Sequence, residues 1–102
     1  MPLIHRLIQA PSEGTKRMLV RRMHIKEDAA KELNWGSVLL IQGSVVEIFE
    51  AVDVGTKAAN VAAIEVMGNC PQHINAVGFI GSAADVKQVL RALECMNRGV
   101  VA

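Results

Sequence analysis

Residues 38–67 read VLLIQGSVVEIFEAVDVGTKAANVAAIEVM, and this stretch predicts a strand, a helix and a second strand in succession. The apolar run 38–42 is short and is bounded by glycines, which is typical of a central strand. The apolar run 61–67 is the second strand. The helix between them is the element that the sequence marks most clearly.

Ser44 and Glu47 have the spacing of a capping box, in which each side chain accepts a hydrogen bond from an otherwise unpaired backbone N–H. We therefore expect a helix that begins after Ser44 and runs to Ala59, with Asn60 as its C-terminal cap. Apolar residues at three-to-four-residue spacing predict its buried face. They are Val45, Ile48, Phe49 and Val52.

The same strand–Gly–Ser–helix arrangement occurs again later in the chain. Residues 74–80 form an apolar run, Gly81 and Ser82 follow it, and Asp85 stands three residues after the serine. Two such units predict an internally pseudo-repeated α+β domain, an antiparallel sheet with helices on one face, of the ferredoxin-like kind. The expected buried stripe of the second helix is Val86, Val89, Leu90 and Leu93.

The first third of the chain carries weaker signals. Residues 2–10 predict an edge strand, because Pro11 prevents continuation of the ladder. A helix is expected over residues 12–23, with a hairpin that turns at residues 11–14 as the alternative. Residues 26–33 predict a short helix, and Trp35 is its expected apolar anchor.

The composition excludes several classes of protein. The chain has 102 residues, of which 51% are hydrophobic and 3% aromatic, so one domain with an aliphatic core is expected. Eleven Lys and Arg residues against ten Asp and Glu residues give no general reason to expect a nucleic-acid partner. The basic cluster within residues 16–22 is interpreted as a solvated helix face in preference to a phosphate-binding patch. No apolar run approaches the ~20 residues that span a bilayer, and no signal peptide is evident, so a cytoplasmic protein is expected.

No catalytic constellation is apparent, so an enzyme is not expected. The histidines His5, His24 and His73 are far apart in sequence and lack metal-ligand spacing. Cys95 stands near the end of an amphipathic helix, where small buried thiols are common. We therefore expect Cys95 to be a buried thiol without a function.

The other cysteine, Cys70, lies in different surroundings. The segment GNCPQH, residues 68–73, is rich in turn-forming residues, so a loop is expected to present this thiol. From composition alone, a structural loop and a metal-binding loop are both open. Iron–sulfur clusters and zinc usually take three or four protein ligands, so a metal on Cys70 would need ligands from several subunits.

Three features together resemble a known family. The segment EAVDVGTKAANV at residues 50–61 is followed by a strand, a short loop, a strand that ends in Gly81, and a helix that begins SAADV. This pattern resembles the BMC domain of bacterial microcompartment shell proteins, over about residues 37–95. The resemblance implies a ferredoxin-like BMC domain and a structural protein of the microcompartment shell in the cytoplasm.

The order of the elements resembles that of circularly permuted BMC proteins. In the usual arrangement the first strand lies close to the N-terminus and a further strand follows the last long helix. Here residues 3–9 best supply that strand, whereas residues 12–35 match the family less well. The resemblance thus implies one domain over residues 1–102, with a permuted N-terminal part, 1–35, before a β-α-β-β-α core, 36–99.

The resemblance also implies a homohexameric tile that assembles with other shell proteins. Sixfold symmetry would gather six copies of Cys70 around a pore. The segment is most similar to the pore loops of U-type shell proteins of glycyl-radical microcompartments, which implies an iron–sulfur cluster, [4Fe–4S], shared between subunits for electron transfer or redox sensing. His73 is an additional candidate ligand. The pore-lining residues would be Gly68, Asn69, Cys70, Pro71, Gln72 and His73.

Two further expectations follow from the same resemblance. Lys57 matches the lysine that shell proteins place at the edge between neighbouring hexamers, although sequence physics alone favours an ordinary solvated lysine. The alternative function is a plain permuted tile with a metabolite pore and no cluster, in which Cys70 narrows the pore or binds zinc.

Overall fold

The computed structural model describes residues 3–67 and 74–97 of the chain. These residues form four strands and four helices. In chain order they are β1 (Ile4–Gln9), α1 (Glu13–Arg22), α2 (Glu27–Glu32), β2 (Ser37–Ser44), α3 (Val45–Ala58), β3 (Ala62–Val66), β4 (Ile74–Gly81) and α4 (Ala83–Asn97).

The strands form one antiparallel sheet in the order β1-β2-β4-β3. β2 and β4, the strands that precede α3 and α4, therefore lie side by side at the centre of the sheet. This arrangement is expected of a pseudo-repeated domain. β1 pairs with β2 from Ile4 opposite Gln42 to Gln9 opposite Ser37. The prediction of an edge strand in this part of the chain is confirmed, since β1 lies at the edge of the sheet, and the expected α+β fold class is confirmed.

Both serine caps are formed as predicted. The Ser44 hydroxyl accepts a hydrogen bond from the Glu47 N–H at 3.3 Å, and Glu47 accepts one in return from the Ser44 N–H at 3.0 Å. The Ser82 hydroxyl accepts from the Asp85 N–H at 3.1 Å and donates to the Asp85 carboxylate at 3.0 Å. Local hydrogen bonding therefore determines where α3 and α4 begin.

The larger core lies between the sheet and the pair α3 and α4. Alternate residues of β2 and β4 point into it, and the stripe predicted on α4 faces them. Its most buried members include Leu39, Ile41, Val77, Phe79, Ala51, Val86, Val89 and Leu93.

The expectation of helices on one face alone is wrong, because α1 covers the opposite face. Leu19 and Met23 of this segment form a second buried cluster with Val38 and Ile80. The Met23 side chain occupies the space that a Cβ at Gly78 would need. Continuous apolar runs such as residues 38–41 are typical of strands that are covered on both faces, and this signal was available in the sequence.

The helical prediction for residues 12–23 is confirmed and the hairpin alternative is wrong. The Ser12 hydroxyl caps α1 by accepting a hydrogen bond from the Thr15 N–H at 3.2 Å. After α2 the partly buried Trp35 packs against the second cluster, as the anchor prediction requires. Its indole N–H donates to the Ala30 carbonyl at 2.9 Å.

The buried face predicted for α3 is partly wrong. Ile48, Ala51 and Gly55 are the residues that the helix buries, whereas Val45 and Phe49 are exposed. A Cβ at Gly55 would stand 2.5 Å from the Phe79 ring, so the glycine allows α3 to approach the sheet closely along this line. The buried stripe of α3 thus passes through the small residues Ala51 and Gly55 instead of the larger apolar residues that were predicted. Among the described helices, none is both long and apolar enough to cross a membrane.

Candidate functional site

The predicted pore segment connects two neighbouring strands at one end of the sheet. β3 ends at Val66, which pairs with Ala76 of β4, so the chain between them joins adjacent antiparallel strands. The N–H of Met67 donates to the Arg22 carbonyl at 2.8 Å, which ties the end of β3 to the end of α1. The predicted pore-lining residues themselves lie outside the described residues: Gly68, Asn69, Cys70, Pro71, Gln72 and His73.

The described part of the chain does not assemble a metal site by itself. Within residues 3–67 and 74–97, no three His, Cys, Asp or Glu side chains are grouped so that they could hold a metal ion. His5 is exposed on β1 opposite Ile41, and His24 is exposed just after α1.

Cys95 is a free thiol on α4 and is exposed, so the prediction of a buried thiol is wrong. The buried stripe of this helix passes through Val89 and Leu93, and Cys95 lies two residues beyond Leu93, off that stripe. Helical periodicity extended from the stripe would have placed this thiol correctly.

Lys57 lies in the last turn of α3, and its side chain is 75% exposed. Its ammonium group forms an ion pair with the Asp53 carboxylate at 2.9 Å. An exposed pair of this kind contributes little to stability, so the ammonium group can exchange Asp53 for another partner at little cost. The helix ends at Ala58 with Ala59 as the cap, one residue before the cap predicted at Asn60.

The first turn of α3 carries an apolar patch that the sequence reasoning missed. Val46 is 75% exposed and Phe49 is 71% exposed, with Val45 beside them. Exposed apolar groups that lie together are typical of interaction surfaces in soluble proteins. The sequence did carry a signal for this patch. Four of the residues 45–49 are apolar, which is more than one buried stripe of a helix can hold.

Solved structures of microcompartment shell proteins are similar to this chain. The chain is similar to a ligand-free structure of the GrpU microcompartment shell protein from Pectobacterium wasabiae, with 30% sequence identity and a TM-score of 0.67 over 89% of this chain and 99% of that chain. It is also similar to the ligand-free GrpU microcompartment shell protein from Clostridiales bacterium 1_7_47FAA, with 23% identity and a TM-score of 0.65 over 89% of this chain and 87% of that one. The second likeness shows the fold alone. No protein-family model matches the sequence, and no curated protein matches it.

Proposed function

Because the chain belongs to the bacterial microcompartment shell proteins, which are structural proteins and not enzymes, we propose that it forms a homohexameric shell tile whose central pore binds an iron–sulfur cluster through Cys70. The likeness to the Pectobacterium protein over nearly that protein's whole length carries the shell assignment. The thiol in a turn-rich segment carries the cluster assignment. Electron transfer across the shell or redox sensing is the proposed purpose of the cluster.

The proposal includes a circular permutation. β1 lies beside β2 in the sheet although α1 and α2 separate the two strands along the chain. A strand that follows the last helix in the usual order would take the same edge position. The proposal also places the chain among the U-type shell proteins of glycyl-radical microcompartments, whose pore loops residues 68–72 resemble.

Symmetry is the physical reason that one cysteine per chain is enough. A hexamer would bring six equivalent thiols to one axis, and a [4Fe–4S] cluster is held by four thiolates. Such a cluster cannot have sixfold symmetry, so not every copy of Cys70 is a ligand. The expected content is roughly four iron atoms for each six chains.

Protein purified without oxygen tests the proposal through its mass in solution and its content of iron and acid-labile sulfide. We expect a hexamer that contains both elements. The Cys70→Ser variant should keep the mass and lose iron and sulfide together, because serine replaces the thiolate ligand. Exclusion of oxygen matters because exposed thiolates oxidise readily.

The Cys95→Ser variant is the matched control, since Cys95 is the second cysteine of the sequence and its thiol is exposed. It should keep both the mass and the iron. Equal iron and sulfide in Cys70→Ser and the parent would exclude Cys70 as the ligand. A hexamer without iron would leave the plain tile with a metabolite pore, and a stable monomer would refute the tile itself.

A further inference from the structure

A cleft of about 610 Å³ lies between α1, α2 and Trp35, on the face of the sheet opposite α3 and α4. Its volume falls within the ~300–1,000 Å³ that small-molecule sites occupy. The proposed shell function does not use it. Its walls combine an apolar part with a basic part.

The apolar part consists of Val20 in the last turn of α1, Ile25 between α1 and α2, Ala30 of α2, and Trp35. Each of these side chains is partly buried, so each keeps some surface open to the cleft. The hydrogen bond from the indole N–H to the Ala30 carbonyl holds the Trp35 ring in place. An aromatic ring that is held in this way offers a flat, preorganised apolar surface.

The basic part is made by Lys16, Arg17, Arg21 and Lys31, against the two carboxylates Glu13 and Glu27. Glu13 is already paired with Lys16 at 3.1 Å. Within the described residues, Arg17, Arg21 and Lys31 form no ion pair, so the cleft retains an excess of positive charge.

Arg17 and Arg21 are four residues apart on α1 and therefore project from the same side of the helix. Like charges at this spacing repel each other and destabilise the helix. An anion between them would relieve the repulsion, and guanidinium groups bind carboxylate and phosphate oxygens in pairs of parallel hydrogen bonds.

We propose that this cleft binds a small organic anion, with its flat apolar part against Trp35 and its anionic group held by Arg17 and Arg21. The size of the cleft favours a small molecule over a peptide helix. α2 has six residues, so the wall that it forms is only roughly 9 Å long.

Trp35 is the only tryptophan of the chain, which has no tyrosine, so its emission reports directly on the cleft. The probe is phenyl phosphate, with inorganic phosphate and phenol as its anionic and apolar halves. We expect phenyl phosphate to change the emission of Trp35 and to bind at least about tenfold more tightly than either half, because it uses both parts of the cleft.

The double variant Arg17→Gln with Arg21→Gln should weaken the binding of phenyl phosphate by about tenfold or more. Both side chains are exposed, and circular dichroism checks that the fold is kept. Arg91→Gln is the matched control, because Arg91 is exposed on α4, on the other side of the sheet. The Arg91→Gln variant should bind phenyl phosphate as tightly as the parent does.

Three results would overturn the proposal: no response of Trp35, binding of inorganic phosphate as tight as that of phenyl phosphate, or equal affinity of the double variant and the parent. The second would show a simple cationic patch. None of these results depends on the state of Cys70, so this test and that of the shell function fail independently.

Discussion

His24 follows Met23, the C-terminal cap of α1, and has a backbone φ of 53°, in the left-handed region that favours glycine. Its N–H donates to the Arg21 carbonyl at 3.2 Å, and the N–H of Ile25 donates to the Val20 carbonyl at 3.1 Å. These two bonds have the pattern of a Schellman motif, which satisfies carbonyl groups at the end of a helix. His24 is therefore part of the structure that terminates α1.

The His24→Gly variant should be more stable than the parent. The left-handed conformation costs a non-glycine residue roughly 1–2 kcal/mol, and glycine removes this cost. The greater conformational freedom of glycine in the unfolded chain offsets part of the resulting stabilisation. We expect the free energy of unfolding to rise by about 0.5–1 kcal/mol, measured by urea denaturation.

His5→Gly is the control with the opposite expected sign, because glycine weakens a strand and His5 lies within β1. Ala10 has a φ of 46°, so Ala10→Gly should stabilise as His24→Gly does. A loss of stability in both His24→Gly and Ala10→Gly would contradict the backbone strain that we assign to His24 and Ala10.

At the scale of the element, the start of α3 depends on a carboxylate. The hydrogen bonds from the Ser44 side chain and from the Ser44 N–H lower the pKa of Glu47 below its ordinary value of 4.5. The charged form of Glu47 is therefore favoured by folding. Since the folded pKa is depressed, this contribution is present above pH 4.5 and is lost as the pH falls through the folded value.

The difference in stability between the parent and the Glu47→Gln variant should therefore depend on pH. The parent should gain relative to the variant between about pH 3 and pH 7, since glutamine accepts the Ser44 N–H without titrating. Urea denaturation at both pH values, followed by circular dichroism, measures the difference. A constant difference would show that the carboxylate charge does not contribute to the cap.

At the scale of the whole molecule, substitution of Lys57 tests the prediction that this residue lies at the edge between neighbouring hexamers. Lys57→Ala should leave the mass in solution unchanged and the stability within about 0.5 kcal/mol, because the exposed pair with Asp53 contributes little. It should impair the assembly of sheets of tiles, as seen by electron microscopy. Lys87→Ala, an exposed lysine on α4, is the control and should tile normally. Normal tiling by Lys57→Ala would contradict the edge assignment.

The architecture of the whole molecule was largely predictable because its parts carry local signals. The serine caps depend on residues three apart, and the edge strand β1 was predicted from an apolar run that ends before Pro11. The loop around Cys70 was predicted from turn-forming residues and lies outside the described residues, so its role in a pore stays a prediction. The cleft could not be predicted, because it combines residues from α1, α2 and Trp35 whose relative positions depend on packing.

By itself the sequence determined the places where helices begin, the succession of strands and helices along the chain and the buried stripe of α4, because hydrogen bonds and periodicity within a segment encode them. Only the tertiary structure decided which face each remaining helix covers. Met23 packs where Gly78 has no side chain, and Gly55 brings α3 against Phe79 and leaves Phe49 in solvent. Such choices depend on the fit between residues distant in sequence, and no pattern within a single segment records that fit.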